Sequence, residues 1–331
     1  MRVEAPLSPE ERRRAFSEME AWQDCRQGGP LRVVVGGGLG DSLMHTPFIR
    51  HFRRDSAVTH LRCVVPERAA PLFMHNPHLD ELIPCPAREL PLWAAEEEDG
   101  DVFAPYFQFA RCEITAEGVT AEARRGWLKD DEHTSLHIIR RTARRYGLTL
   151  DNWLPEIFVT SADEAAAEGL RTELQAGSGP VVLNTRSASR DKDYPDALWR
   201  QVADTLRPEM RLLEHSATGP FLNGVPALWP LPPLQVAAAL FRLAACVVTS
   251  DSFAAHVAAA VGTPAVVLFG PTDPAAFGYP EHSQLTADHF GVCCDPGHGR
   301  CNEPCCPGRI PPAEVASAVI RTLRDGKPPM S

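Results

Sequence analysis

Apolar residues recur along this chain in two rhythms. Short apolar runs, most of them rich in β-branched residues, fall at Leu31–Val35, Leu61–Val65, Val181–Asn184, Arg211–His215, Cys246–Thr249 and Pro264–Phe269. Runs of that length, bounded by Gly, Pro or polar residues, suit strands buried on both faces. Helical spacing fills the intervals: about 42–54, 133–146, 161–175, 197 onward, 234–245 and 312–323. Ser8-Pro9-Glu10-Glu11 is a capping box with proline at the first helical position, so a helix is expected to about Gln27, stopped by Gly28-Gly29-Pro30. Ser161-x-x-Glu164 is a second box. Asn76-Pro77 reads as a turn, Glu96–Asp101 as an acidic solvated loop, and Val102–Ala110 alternates aromatic and small residues as a strand can. Strands alternating with helices predict an α/β fold with parallel sheets.

The stretch from Cys246 to Pro274 organises the rest. It reads as a strand, a turn at Ser250-Asp251-Ser252, an Ala-rich helix from Phe253 to Val261, a stop at Gly262, and a strand closed by Gly270-Pro271. A right-handed β-α-β unit leaves a helix N-terminus at the carboxyl edge of its sheet. Free N–H groups and partial positive charge make that an anion site, most often for phosphate.

A second feature is the loop Gly36-Gly37-Gly38-Leu39-Gly40-Asp41. It follows a strand and precedes a helix, so a dinucleotide fingerprint must be tested. From Gly36 the last position of Gly-x-Gly-x-x-Gly falls on Asp41, and from Gly38 it falls on Leu43; both fail. The phosphate-loop pattern is absent too. On spacing alone, Asp41 is either the N-cap of the next helix or a carboxylate held at the tip of a turn that lets other atoms approach. The helix at 133–146 carries Arg140, Arg141, Arg144 and Arg145 opposite its apolar face, either a solvated surface or one that meets an anion.

Composition narrows the classes. The chain has 331 residues, enough for two domains, with 44% hydrophobic and 23% charged residues, as in soluble globular proteins. A net charge of −10 argues against a general nucleic-acid partner. Met1–Arg14 has no apolar core of the signal-peptide kind. The most apolar region, Val225–Val248, is broken by four prolines and an arginine, so no membrane span is expected and a cytoplasmic location is the default. Of ten cysteines, five crowd between Cys293 and Cys306.

Three motifs resemble glycosyltransferase family 9, the bacterial ADP-heptose heptosyltransferases. They are Asp251-Ser252-x-x-x-His256 with the following Gly-Thr-Pro-x-Val-x-Leu-Phe-Gly-Pro-Thr-Asp-Pro; Lys192-Asp193-Tyr194-Pro195 after a hydroxyl-rich loop; and Gly40-Asp41-x-x-x-x-Thr46-Pro47. Phe253 stands where the family usually has glycine. The resemblance spans about 31–323. It implies a GT-B fold, two Rossmann-like domains facing a central cleft: an acceptor-side domain at 1–155 and a nucleotide-sugar donor domain at 156–331. It implies inverting transfer of a heptose from ADP-heptose to a hydroxyl of the lipopolysaccharide core or a related glycan. Asp41 would be the general base. Lys192 would meet the donor diphosphate, with Gly40, Ser187, Asp251, Ser252, His256, Gly270 and Thr272 completing the donor site. Ser189 is a weaker phosphate contact and Glu214 a candidate for the ribose. Val102–Ala110 could line the acceptor cleft. No cofactor would be required for transfer.

The alternatives are a protein O-heptosyltransferase of the autotransporter-modifying type and a nucleotide-sugar binding protein without catalysis. The acceptor would be a glycan, a lipid-linked glycan or a protein, with peripheral membrane contact at the inner face. Cys293, Cys294, Cys301, Cys305 and Cys306, with His298 among them, could wrap a structural zinc or iron. Their spacing is not the regular C-x2-C pair, and free thiols or disulfides remain the other reading.

Overall fold

A computed structural model describes residues 10, 28–95, 101–115, 118–127, 135–287 and 306–324. All of the expected helix at 8–27 except residue 10, the acidic segment 96–100, the four cysteines from 293 to 305 and the tail from 325 lie outside the described residues. The chain divides into two compact units, Met1–Leu154 and Pro155–Ser331.

The first unit is built on a four-stranded sheet in the order β3-β2-β1-β4. Its strands are β1 (Gly29–Val34), β2 (Val58–Pro66), β3 (Glu81–Cys85) and β4 (Asp101–Phe103). All pairings are parallel, with Leu31 opposite Leu61 on one side and Asp101 on the other. β1 is therefore central, and Val33, Val34 and Val35 are fully buried. Helices α1 (Leu39–Leu43) and α2 (Thr46–Arg53) follow β1. The sequence predicts one helix at 42–54. Two are found, because the chain breaks at Met44-His45 and restarts with Pro47 in the first turn. α2 lays Phe48, Ile49 and Phe52 against the sheet, where Phe52 meets Phe103 edge-on at 4.9 Å.

β5 (Phe107–Thr115) and β6 (Gly118–Arg125) form a separate antiparallel hairpin. Its presence corrects the single strand expected at Val102–Ala110. Ala104-Pro-Tyr106 turns the chain between β4 and β5. The short helix α3 (Leu90–Ala95) packs between sheet and hairpin. The last helix of this unit, α4, spans Ile138–Arg145. Arg141 is buried and donates through Nε to the Leu136 carbonyl at 2.6 Å, so the four arginines do not share an exposed face.

The second unit has a six-stranded, wholly parallel sheet in the order β12-β11-β10-β7-β8-β9. These are β7 (Val181–Asn184), β8 (Leu212–His215), β9 (Ala227–Leu228), β10 (Cys246–Ser250), β11 (Ala265–Phe269) and β12 (Ser283–Thr286). β10 lies between β7 and β11, and every one of its residues is buried. Helices α5 (Ser161–Glu173), α6 (Asp196–Leu206), α7 (Leu234–Leu243), α8 (Phe253–Val261) and α10 (Pro312–Arg324) cover the sheet, with the one-turn α9 (Pro274–Phe277) between β11 and β12. The capping box of α5 lies one residue earlier than its spelling suggests: Thr160 caps, and Asp163 returns to the Thr160 amide at 2.8 Å. An aspartate at the third helical position fulfils the reciprocal bond that Glu164 was expected to make.

One apolar cluster binds α6, β10, β11 and α10 through Trp199, Val202, Val248, Leu268, Val315 and Val319. Tyr194 sits inside it, fully buried, and donates its hydroxyl to the Ile310 carbonyl at 2.7 Å. The chain just before α6 is thereby pinned to the chain just before α10.

Candidate functional site

In the second unit, the carboxyl ends of β7, β8 and β10 meet in a chain of polar contacts. Asn184, the last residue of β7, donates to Thr249 Oγ1 at 2.9 Å and pairs through Oδ1 with His215 Nδ1 at 2.6 Å. Thr249 Oγ1 lies 2.8 Å from Ser252 Oγ, and Ser252 caps α8 by accepting the Ala254 amide. Of the cap residues Ser250, Asp251 and Ser252, Ser252 is the one that caps, and the expected stop at Gly262 is left-handed, with φ of 70°.

Asp251 sits at the turn from β10 into α8, and its carboxylate is buried. Lys192 Nζ approaches Oδ2 at 2.8 Å, and Thr272 Oγ1 donates to the same oxygen at 2.6 Å. Burial alone would raise this carboxyl. The charges of Lys192 and His256, with the Lys192 and Thr272 hydrogen bonds, outweigh it and hold Asp251 below its ordinary value. Lys192 belongs to a single 3-10 turn, Arg190–Lys192, two residues before the buried Tyr194. The Lys192 side chain as a whole remains 28% exposed.

Three of the expected donor residues therefore form one contact group: Lys192, Asp251 and Thr272. The others are engaged differently. His256 is buried and bonds through Nδ1 to the Tyr279 hydroxyl at 2.8 Å. Ser187 Oγ turns into its own loop, donating to the Ser189 carbonyl at 2.6 Å, and Ser189 Oγ is engaged by Asp191. Gly270 packs against Pro307, whose Cγ would lie 2.7 Å from an added Cβ, so its small size serves the packing of the loop before α10. Glu214 is fully buried and takes the amides of Phe221 and Leu222, at 3.2 and 3.0 Å. It holds the turn after β8. Asn184 was missed from the sequence. A polar residue ending an otherwise apolar strand was its only signal.

In the first unit, Asp41 is neither an N-cap nor a free tip. It is the third residue of α1 and reaches back to the Gly38 amide, Oδ2 accepting at 2.8 Å. Oδ1 accepts from the indole Nε1–H of Trp127 at 2.9 Å. The adjacent Gly40 carbonyl accepts the Met44 amide. The glycines before Asp41 admit the protein's own side chains. At Gly36 an added Cβ would lie 2.3 Å from Tyr106 Cδ1, and at Gly37, with φ of +84°, 2.4 Å from Asp41 Cβ. Trp127 was likewise missed, because nothing in the spacing joins residues that lie 86 apart.

Three buried imidazoles set the acid response. Burial pulls His45 and His215 down to about 4, and burial with the charge of His256 pulls His282 down to about 3. All three are neutral in the fold, whereas unfolded histidine titrates near pH ~6.5. Below that pH the unfolded chain binds protons that the folded chain refuses. The stabilisation is therefore complete above pH ~6.5 and is lost as pH falls toward 4. Thermal melts between pH 7.5 and 4.5 should show a midpoint that declines from just under neutrality. A flat midpoint down to pH 4.5 would contradict it.

Residues 225–300 match the model of glycosyltransferase family 9 (heptosyltransferase). Over this segment the chain is similar to glycosyltransferase family 9. Lipopolysaccharide heptosyltransferase 1 of Pseudomonas aeruginosa is 28% identical over 166 residues, 47% of this chain and 45% of that protein. The chain thus spans about half the length of the curated relatives it matches. In fold, a family 9 glycosyltransferase of Veillonella parvula has a TM-score of 0.66 at 17% identity, covering 91% of this chain and 98% of its own. The iron-containing dodecameric glycosyltransferase TibC of enterotoxigenic E. coli has a TM-score of 0.59 at 15% identity, covering 91% and 77%. TibC has also been solved with ADP-D-β-D-heptose bound. The architecture of this chain is the GT-B type, with parallel sheets in both units. No helix among the described residues is long and apolar enough to cross a membrane. No group of three or more His, Cys, Asp or Glu among them is placed to hold a metal.

Proposed function

We propose that this chain is an inverting glycosyltransferase that moves a heptose from ADP-heptose to an acceptor hydroxyl of the lipopolysaccharide core or a related glycan. The observation that carries the reading is Lys192. Its ammonium is held at the start of α8 by Asp251, on a side chain that is only partly buried. As the glycosidic bond breaks, the diphosphate gains charge. An ammonium fixed beside a helix N-terminus neutralises that charge without rearranging. Asp41 takes the proton of the attacking hydroxyl, and its anchored carboxylate suits a base that must meet one oxygen from one direction. Electrostatic stabilisation of the leaving group by Lys192 and backbone amides requires no divalent metal.

The test is to incubate the chain with ADP-heptose and candidate acceptors, among them heptose-deficient lipopolysaccharide and autotransporter passenger protein, and to follow ADP release and acceptor mass. Transfer to the lipopolysaccharide supports the reading. Transfer to protein serine supports the protein-modifying reading. Binding of ADP-heptose with no release under any acceptor would leave a binding protein.

We propose further that a subset of the thiols at Cys293, Cys294, Cys301, Cys305 and Cys306 holds a structural zinc or iron, since four thiolates are a donor set whose softness fits either ion. Elemental analysis of the purified chain should return about one metal per molecule. A metal-free chain with five reactive thiols would dismiss the site.

A further inference from the structure

We propose that Trp127 is the positioning residue for the Asp41 carboxylate, held in its own place by His45 and Tyr106. The inference rests on Asp41 being the base, as proposed above. A carboxylate near the start of a five-residue helix would ordinarily rotate about two side-chain torsions. Here both oxygens are tied from different parts of the chain, Oδ2 to the Gly38 amide and Oδ1 to the Trp127 indole. Two anchors in different directions fix both torsions.

The indole is itself held. It is 7% exposed, its ring lies 4.8 Å from that of His45, and Tyr106 meets it edge-on at 5.8 Å and 89°. Tyr106 in turn lies over the bare backbone of Gly36. His45 is fully buried and bonds through Nδ1 to the Asp41 carbonyl at 2.8 Å. A carbonyl only accepts, so Nδ1 carries the proton. Nε2 is then bare, and it has no partner among the described residues. The wall behind Trp127 is therefore aromatic and uncharged.

The residue type fits the task. An indole N–H is a donor only, with no lone pair to compete for the proton that the base takes. A lysine there would neutralise the carboxylate and lower its basicity. Each carboxylate oxygen accepts one hydrogen bond from these anchors and retains a second lone-pair site for a substrate hydroxyl.

The experiment follows ADP release from ADP-heptose with heptose-deficient lipopolysaccharide, using the whole chain. Trp127→Phe keeps an aromatic ring against His45 and Tyr106 but loses the N–H. It is expected to lower kcat by roughly 10- to 100-fold with donor KM unchanged. Benzothienylalanine at 127, which replaces the N–H by sulfur at nearly constant shape, should give the same loss, and it decides the matter if Trp127→Phe does not fold. In an Asp41→Asn background, Trp127→Phe should remove nothing further from residual turnover, because the two act as one unit. An unchanged kcat, a rise in KM alone, or an equal further loss in the Asp41→Asn background would overturn the positioning role. Full turnover by Asp41→Asn would overturn the base itself, and this proposal with it. A dead Asp41→Asn beside an unaffected Trp127→Phe would sink only the present inference.

Discussion

Asp41→Asn is expected to lower transfer by roughly 10²- to 10⁴-fold, the range a general base contributes, while leaving ADP-heptose affinity unchanged. The substitution is nearly isosteric. One amide oxygen still accepts a hydrogen bond, so either the Gly38 amide or the Trp127 indole keeps its partner and the other loses it. That loss costs about 1 kcal/mol of stability, too little to unfold the unit. The kinetic effect is of another order, because an amide cannot take a proton at neutral pH. Calorimetric titration with ADP-heptose beside the turnover assay separates the two. Retained turnover would remove Asp41 from the chemistry, and lost donor affinity would make it a binding residue.

The second large effect is expected at Lys192→Ala. Asp251 is buried, and the Lys192 charge is the strongest of the influences that lower its carboxyl against burial. Removing the ammonium leaves a buried carboxylate with Thr272 and His256 as its remaining support. Breaking one side of a buried pair costs about 3 kcal/mol, the low end of the usual range, because Lys192 is 28% exposed. The pH dependence gives a signature. In the unaltered chain Asp251 is held low, so its contribution is present above the unfolded carboxylate value and lost only as pH falls through the lower folded one. In the variant, burial pushes the carboxyl up, and protonation relieves the strain as pH falls. The difference in melting midpoint between the two chains should be widest near pH 7 and should narrow toward pH 4. Asp251→Asn should cost less, since it leaves no buried charge and frees Lys192 to reach water. Donor affinity should fall by roughly 10- to 100-fold in Lys192→Ala, the worth of a hydrogen bond to a charged group. A pH-independent difference, or undiminished donor affinity, would contradict this account.

Much of the first unit's site was illegible from the sequence for a definite reason. The glycines at 36–38 announce that something comes close. They do not say whether it is a ligand or the protein's own Tyr106 and Asp41. Arg141 carries a charge and lies on the expected helix, yet the fold buries it against the Leu136 carbonyl. The capping signal at Ser161-x-x-Glu164 was shifted by one residue, because Thr160 and Asp163 form the same reciprocal pair. Glu214 looked available at a strand end until the turn at Phe221-Leu222 closed on it.

By itself the sequence determined the β10–α8–β11 unit, the cap at Ser252, the stop at Gly262 and the parallel α/β class, because these depend on neighbours within a few residues and on a hydrophobic period. Only the tertiary structure decided which polar groups meet: Lys192 with Asp251 across 59 residues, and Trp127 with Asp41 across 86. Such pairs are set by how strands and loops come together in space, and no local spacing encodes a hydrogen bond between segments that first meet when the fold closes.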